Sequence, residues 1–219
     1  MYSVAFIILC LSFPVVVHSD YNCTTPNTLI TFDDLPSLGS YAAVVPNNYF
    51  DLVWSNVVYT LVTYLNSFAG NHTALSNEVY VAFNMYEGPI TISSPAASTF
   101  SINSFIALAF YMDNLALSMT GKRNGATIYQ QTVTLQATIS SFIVLNWTYI
   151  DTIIFTTSGG IPDPILAVRS NGTFYAIDNL CVDISSFYTP TLYPITATPM
   201  TVTSDNGKKE NIKGFHTAY

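Results

Sequence analysis

The residues best suited to chemistry lie near the two ends of one long stretch of chain. Ile30-Thr31-Phe32-Asp33-Asp34-Leu35 and Ile177-Asp178-Asn179-Leu180 share the pattern apolar–Asp–Asp/Asn–Leu, and Asp183 follows shortly after. Asp33, Asp34, Asp178 and Asp183 offer hard oxygen ligands of the kind calcium takes. The same carboxylates have a plainer use, accepting backbone hydrogen bonds in turns. Asp178 shares strand parity with Ala176, Leu180 and Val182 and is expected to face inward, where a carboxylate without donors is costly. Nothing in the spacing matches an EF-hand loop.

A second set suits sugar recognition. Aromatic rings offer flat apolar faces with polar edges, which fit sugar rings when amide and carboxylate groups stand beside them. The loops Ser37–Tyr49 and Asn84–Gly88 carry Tyr41, Asn48, Tyr49, Tyr86 and Glu87, the expected ligand-binding rim. Trp54 is expected in the core. Trp147 lies inside Asn146-Trp147-Thr148 and is expected near the surface, beside a glycan that would hinder a ligand there.

Catalysis finds little support. After removal of an export signal the histidines are His72 and His216, one in a sequon and one in the tail, so no Ser–His or Cys–His arrangement is in view. A zinc cage is equally unsupported by two cysteines expected to pair with each other. A glycosidase needs two carboxylates facing a cleft. Glu78, Glu87, Asp113 and Asp151 are candidates, but no spacing marks a pair.

Residues 1–19 read as an export signal: an apolar run from Val4 to Val17, then small residues before a cut at Asp20. An uncleaved anchor is the alternative. Cleavage removes Cys10 and leaves Cys23 and Cys181, which in an oxidising compartment form one disulfide, with two unpaired or intermolecular thiols as the alternative. Closing so long a loop is worth about 5 kcal/mol in the chain-entropy account. Sequons at Asn22, Asn71, Asn146 and Asn171 agree with export and mark exposed positions. The expected location is extracellular.

The composition is half apolar and only 9% charged, with a net charge of −7. Such a surface must be wetted by Ser, Thr, Asn and glycan. Between residues 1 and 207 the only cations are Lys122, Arg123 and Arg169. That is too few to neutralise a run of phosphates, which excludes nucleic acid as a natural partner and argues against anionic membrane surfaces.

Short β-runs separated by turn residues must position these groups. They cover Thr28–Phe32, Phe50–Tyr59, Glu78–Phe83, Ile90–Ser93, Thr99–Tyr111, Leu115–Thr120, Thr127–Leu135, Phe142–Leu145, Tyr149–Thr156 and Phe174–Ile184. Leu61–Asn77 is either a short helix or a loop. Parity changes at Asn103-Ser104, which predicts a bulge or a switch of sheet. Asn124-Gly125 is a strong hairpin signal. About ten strands with few helical periods predict an all-β antiparallel sandwich over residues 20–186, a jelly roll with its first and last strands as neighbours. From 187 to 219 a Thr/Pro-rich tail cannot build a core and is expected to be disordered.

The elements Thr31–Leu35, Trp54-Ser55-Asn56, Val81–Asn84, Gly121–Gly125, Ile150–Phe155 and Tyr175–Leu180 resemble those of secreted jelly-roll domains of the galactose-binding, carbohydrate-binding-module type. The resemblance spans about residues 28–184 and implies fold more than function, since most such domains have no assigned activity. Sandwiches of this kind often hold a structural calcium between their first and last strands, which implies Asp33, Asp34, Asp178 and Asp183 as its ligands. The expected function is a non-catalytic, lectin-like carbohydrate-binding module with a carbohydrate or extracellular glycoprotein as partner. The alternatives are a structural or adhesive extracellular protein that binds other proteins and, behind both, a glycoside hydrolase.

Overall fold

A computed structural model describes residues 23–69, 75, 79–96, 98–166 and 172–187, with 202–203 and 209–210 beyond them. The export signal and the sequons at Asn22, Asn71 and Asn171 lie outside the described residues. The chain divides into two compact units, Met1–Phe187 and Tyr188–Tyr219. In the second, Val202–Thr203 pairs antiparallel with Lys209–Glu210, and the rest of the expected tail lies outside the described residues.

The first unit is an antiparallel jelly-roll sandwich of two sheets. The larger sheet runs β10 (Ser141–Ile150), β7 (Phe100–Ala109), β12 (Tyr175–Asp183), β5 (Tyr80–Asn84), β4 (Val57–Leu61) and β2 (Ala43–Val44), with β1 (Thr28–Ile30) also on β12. The smaller runs β3 (Val53–Ser55), β6 (Ile90–Ser93), β11 (Thr152–Pro162), β8 (Met112–Arg123) and β9 (Ala126–Leu135). The first and last strands are neighbours as the sequence predicts, with Leu29 opposite Cys181. Cys23 and Cys181 are joined, their Cα atoms 5.5 Å apart.

Period-2 alternation explains the inner layer. Leu115, Leu117 and Met119 of β8, Ile143 and Leu145 of β10, and Ile153 and Phe155 of β11 all point between the sheets. Strand β7 reads apolar on both faces because both are covered. Phe105 and Ala107 enter the inter-sheet core, while Ile106 and Leu108 join a second cluster with Val62 and Leu65 of helix α1 (Val62–Ala69). That helix occupies the first part of the ambiguous stretch Leu61–Asn77; apart from residue 75 the remainder lies outside the described residues. The bulge expected at Asn103-Ser104 is present: Ile102 and Phe105 are both buried, with two half-buried residues between them.

Two expected strands are in fact corners. Phe50–Tyr59 breaks at Asn56, whose φ of 61° turns β3 in one sheet into β4 in the other. Tyr149–Thr156 breaks at Asp151, where β10 hands over to β11 across the sandwich. The expectation for Trp147 also needs correction. It keeps the alternation of Ile143 and Leu145, so its ring faces inward, where it is buried and stacks on Tyr129 at 5.3 Å and 11°. Gly121 lies beneath the ring: a Cβ there would come within 2.9 Å of it, so the close approach requires glycine. Trp54 is buried as expected.

Candidate functional site

Where the chain ends meet, the aspartates organise backbone. Strand β1 leaves β12 after Ile30, and Phe32 turns the chain with a φ of 64°. Asp33 Oδ1 then accepts the N–H groups of Val79 and Tyr80 at 2.9 and 2.8 Å, fastening the start of β5, which continues along β12 where β1 departs. Asp34 accepts the Tyr49 phenol at 2.5 Å. Asp178 is fully buried and accepts the Asn179 N–H at 2.7 Å where the pairing with β7 shifts register. The expected common parity does not hold, since Ala176 faces the second cluster and Leu180 and Val182 the inter-sheet core. Asp183 accepts the Ser185 N–H at 2.9 Å. Among the described residues no three His, Cys, Asp or Glu side chains converge as a metal cage would need.

The expected ligand rim is divided among separate places. Tyr49 belongs to an aromatic cluster with Phe32, Phe50 and Trp54, at centroid distances of 5.8, 4.8 and 6.0 Å. Burial, then the hydrogen bond to Asp34, pushes its phenol well above the ordinary tyrosine range. Asn48 adopts a φ of 69° and pins a tight turn, its N–H bonded to the Leu52 carbonyl at 3.0 Å. Tyr41 is exposed and packs edge-on against Tyr64 of α1 at 5.8 Å. Tyr86 and Glu87 lie beyond the other end of the β4–β5 hairpin, in the turn Met85–Glu87. Tyr86 is 82% exposed, whereas the Glu87 carboxylate is committed to Thr173, accepting its N–H at 2.8 Å and its hydroxyl at 3.2 Å.

The carboxylates considered for hydrolysis are tied to backbone as well. Asp113 accepts the Ala137 N–H at 3.0 Å, and Asp151 accepts that of Asn124. Glu78 lies outside the described residues.

The arrangement that can receive a ligand was not singled out in the sequence. At the sandwich end where β10 finishes and β11 begins, Tyr149 is 64% exposed and holds a φ of 57°. A left-handed backbone at an aromatic residue costs on the order of 1 kcal/mol, and strain of this kind gathers at functional positions. The Arg123 guanidinium lies 5.9 Å from the centre of the Tyr149 ring. Two clefts open beside this pair. One, of about 260 Å³, is lined by Tyr149 with Thr99, Ser101, Thr148, Asp183 and Ser186. The other, of about 320 Å³, is lined by Arg123 with Ser94, Ser98, Asn124, Asp151 and Thr152. Lys122 and Arg123 are the only cations of the sandwich among the described residues.

Local sequence explains how the pair is held. Asn124-Gly125 closes the β8–β9 hairpin with positive φ at both residues, which puts Arg123 at its end. Asp151 bridges from the neighbouring corner: its carboxylate accepts the Asn124 N–H, and its own N–H donates to the Lys122 carbonyl at 2.9 Å. The hairpin dipeptide and the isolated Arg were visible signals. The exposure of Tyr149 was not, because it depends on the bulge between Trp147 and Ile150, which moves it out of the alternation.

No protein-family model matches the chain, and no curated protein matches it. Among solved structures it is similar to TmCBM61, a carbohydrate-binding module determined in complex with β-1,4-galactotriose. The similarity is at 12% identity and a TM-score of 0.29, over 63% of this chain and 93% of the other. A likeness of that degree carries no conclusion about ligand.

Proposed function

We propose that the protein is a secreted, non-catalytic carbohydrate-binding module of the cell surface or extracellular matrix, with its sugar site at Tyr149 and Arg123. The observation that carries the reading is the exposed Tyr149 ring, held in a left-handed backbone beside Arg123 and between two hydroxyl-lined clefts. The ring supplies an apolar face for a sugar, and the guanidinium fork with the hydroxyls of Thr99, Ser101, Thr148 and Thr152 supplies hydrogen bonds at its edge, the Ser94, Ser98 and Ser186 hydroxyls being bonded to backbone carbonyls. Export, and N-glycosylation of the sequons, belong to the same proposal.

Calcium is a separate proposal at Asp33, Asp34, Asp178 and Asp183. It would compete for oxygens that backbone N–H groups and the Tyr49 phenol already engage.

The test is a glycan-array assay with the secreted chain, run in calcium and again in chelator. Binding in both conditions supports the Tyr149 site acting alone. Binding lost in chelator supports the sugar role together with an ion at the aspartates on which the fold of the site depends. A blank array with the folded protein overturns the sugar reading and moves the function to a protein partner.

A further inference from the structure

We infer that Asn146 carries an N-glycan and that this glycan covers the β10 edge of the sandwich, preventing two copies from pairing along it. The inference rests on the export proposed above.

Strand β10 ends the larger sheet, so among the described residues one row of its backbone N–H and C=O groups meets no strand. An edge strand of this length is a template for another chain unless charge, proline, irregularity or a cover protects it. Ser141–Ile150 reads SFIVLNWTYI, without charge or proline, and its bulges lie beyond Val144, so Ser141–Val144 is the regular run left open to pairing. Its outward side chains Phe142 and Val144 are 40% and 49% exposed. The exposed Leu29 extends this apolar surface, since Leu29, Cys181, Ser104 and Val144 share one cross-strand row.

The next outward position is Asn146, the acceptor of Asn-Trp-Thr. It is exposed and bulged out with a φ of 52°, and Thr148, whose hydroxyl completes the sequon, is exposed as well. The intervening Trp147 is turned into the core and leaves the acceptor unobstructed. Asn146 is two residues from Val144, roughly 7 Å along a strand, so the first sugars can lay their apolar faces over Val144 and Phe142. A glycan there fills the space that a second strand, about 4.8 Å away, would need.

The other long edge has a different guard. Strand β9 presents Ile128, Gln130, Thr132 and Thr134 outward and has no sequon; a bulge opposite Gly121 and Lys122 interrupts it near Ile128, and the rest of that row is polar, with the Thr132 hydroxyl bonded to Ser118 at 2.9 Å. Strands β2 and β3 have two and three residues, too few to act as templates.

The test expresses the full chain in a secreting eukaryotic line, with Asn22, Asn71 and Asn171 changed to Gln so that Asn146 is the remaining sequon. Glycopeptide mass spectrometry is expected to find Asn146 modified, and light scattering to find a monomer. Asn146→Gln is expected to double the apparent mass or more at the same concentration, and adding Phe142→Thr and Val144→Thr to restore the monomer. Should the Gln variant not be secreted, trimming the purified parent with an endoglycosidase is expected to produce the same association. Secreted protein with a bare Asn146, or trimmed and Gln forms that both stay monomeric, overturns the inference alone. Retention of the wild-type chain in the cytosol overturns the export reading and the inference with it.

Discussion

The two ends of the sandwich carry similar parts put to different uses. Each presents an exposed tyrosine with positive φ, Tyr149 at one and Tyr86 at the other, and each has carboxylates close by. At the Tyr86 end the polar groups hold the fold together. Glu87 grips Thr173, and the buried Asn84 accepts the Tyr175 N–H at 2.8 Å while donating to the Thr173 carbonyl. At the Tyr149 end Asp151, Asp183 and the hydroxyls of Ser94, Ser98 and Ser186 also bond to backbone, but the Arg123 side chain turns to the Tyr149 ring and the pair stands beside two clefts. An exposed aromatic residue is therefore a poor marker of a site by itself. What its neighbours are already doing decides whether it is one.

Substitutions should separate the two ends by what they damage. Asn84→Ala removes a buried partner from the Tyr175 N–H and is expected to cost about 2–3 kcal/mol of stability, measured by urea unfolding, with sugar affinity unchanged below the new midpoint. Tyr149→Ala has the opposite signature: a loss of affinity of roughly tenfold or more by calorimetric titration, with the melting temperature within about a degree of wild type. Arg123→Ala is expected to weaken binding by about threefold to fivefold, and Arg123→Lys to recover little of it, because the planar fork is lost along with the contact to the ring. Tyr86→Ala should change neither affinity nor stability by more than about 0.5 kcal/mol. If Tyr86→Ala proved the damaging variant for binding, the roles of the two ends would be reversed.

The fold was largely legible in the sequence and the site was not, for a common physical reason. Strands whose inner face alternates, such as β8 with Leu115, Leu117 and Met119, show their period directly. So does the meeting of the chain ends, through the repeated Asp patterns and Cys23 with Cys181. Corners and bulges break that period. Asn56 and Asp151 hide inside runs that read as continuous strands, and the bulge between Trp147 and Ile150 ends the alternation of β10. Tyr149 is exposed because of that bulge, so parity along β10 places it wrongly. The commitment of Glu87 was hidden for a different reason: its partner Thr173 is 86 positions away, a separation that local sequence does not reveal.

The most direct test of the sugar site is a glycan array probed with wild type and Tyr149→Ala side by side, both confirmed folded by circular dichroism. Signal on a defined set of glycans with the wild type, falling tenfold or more with the variant, is the expected result. Equal signal from the two proteins, or none from either, would contradict a carbohydrate site at Tyr149.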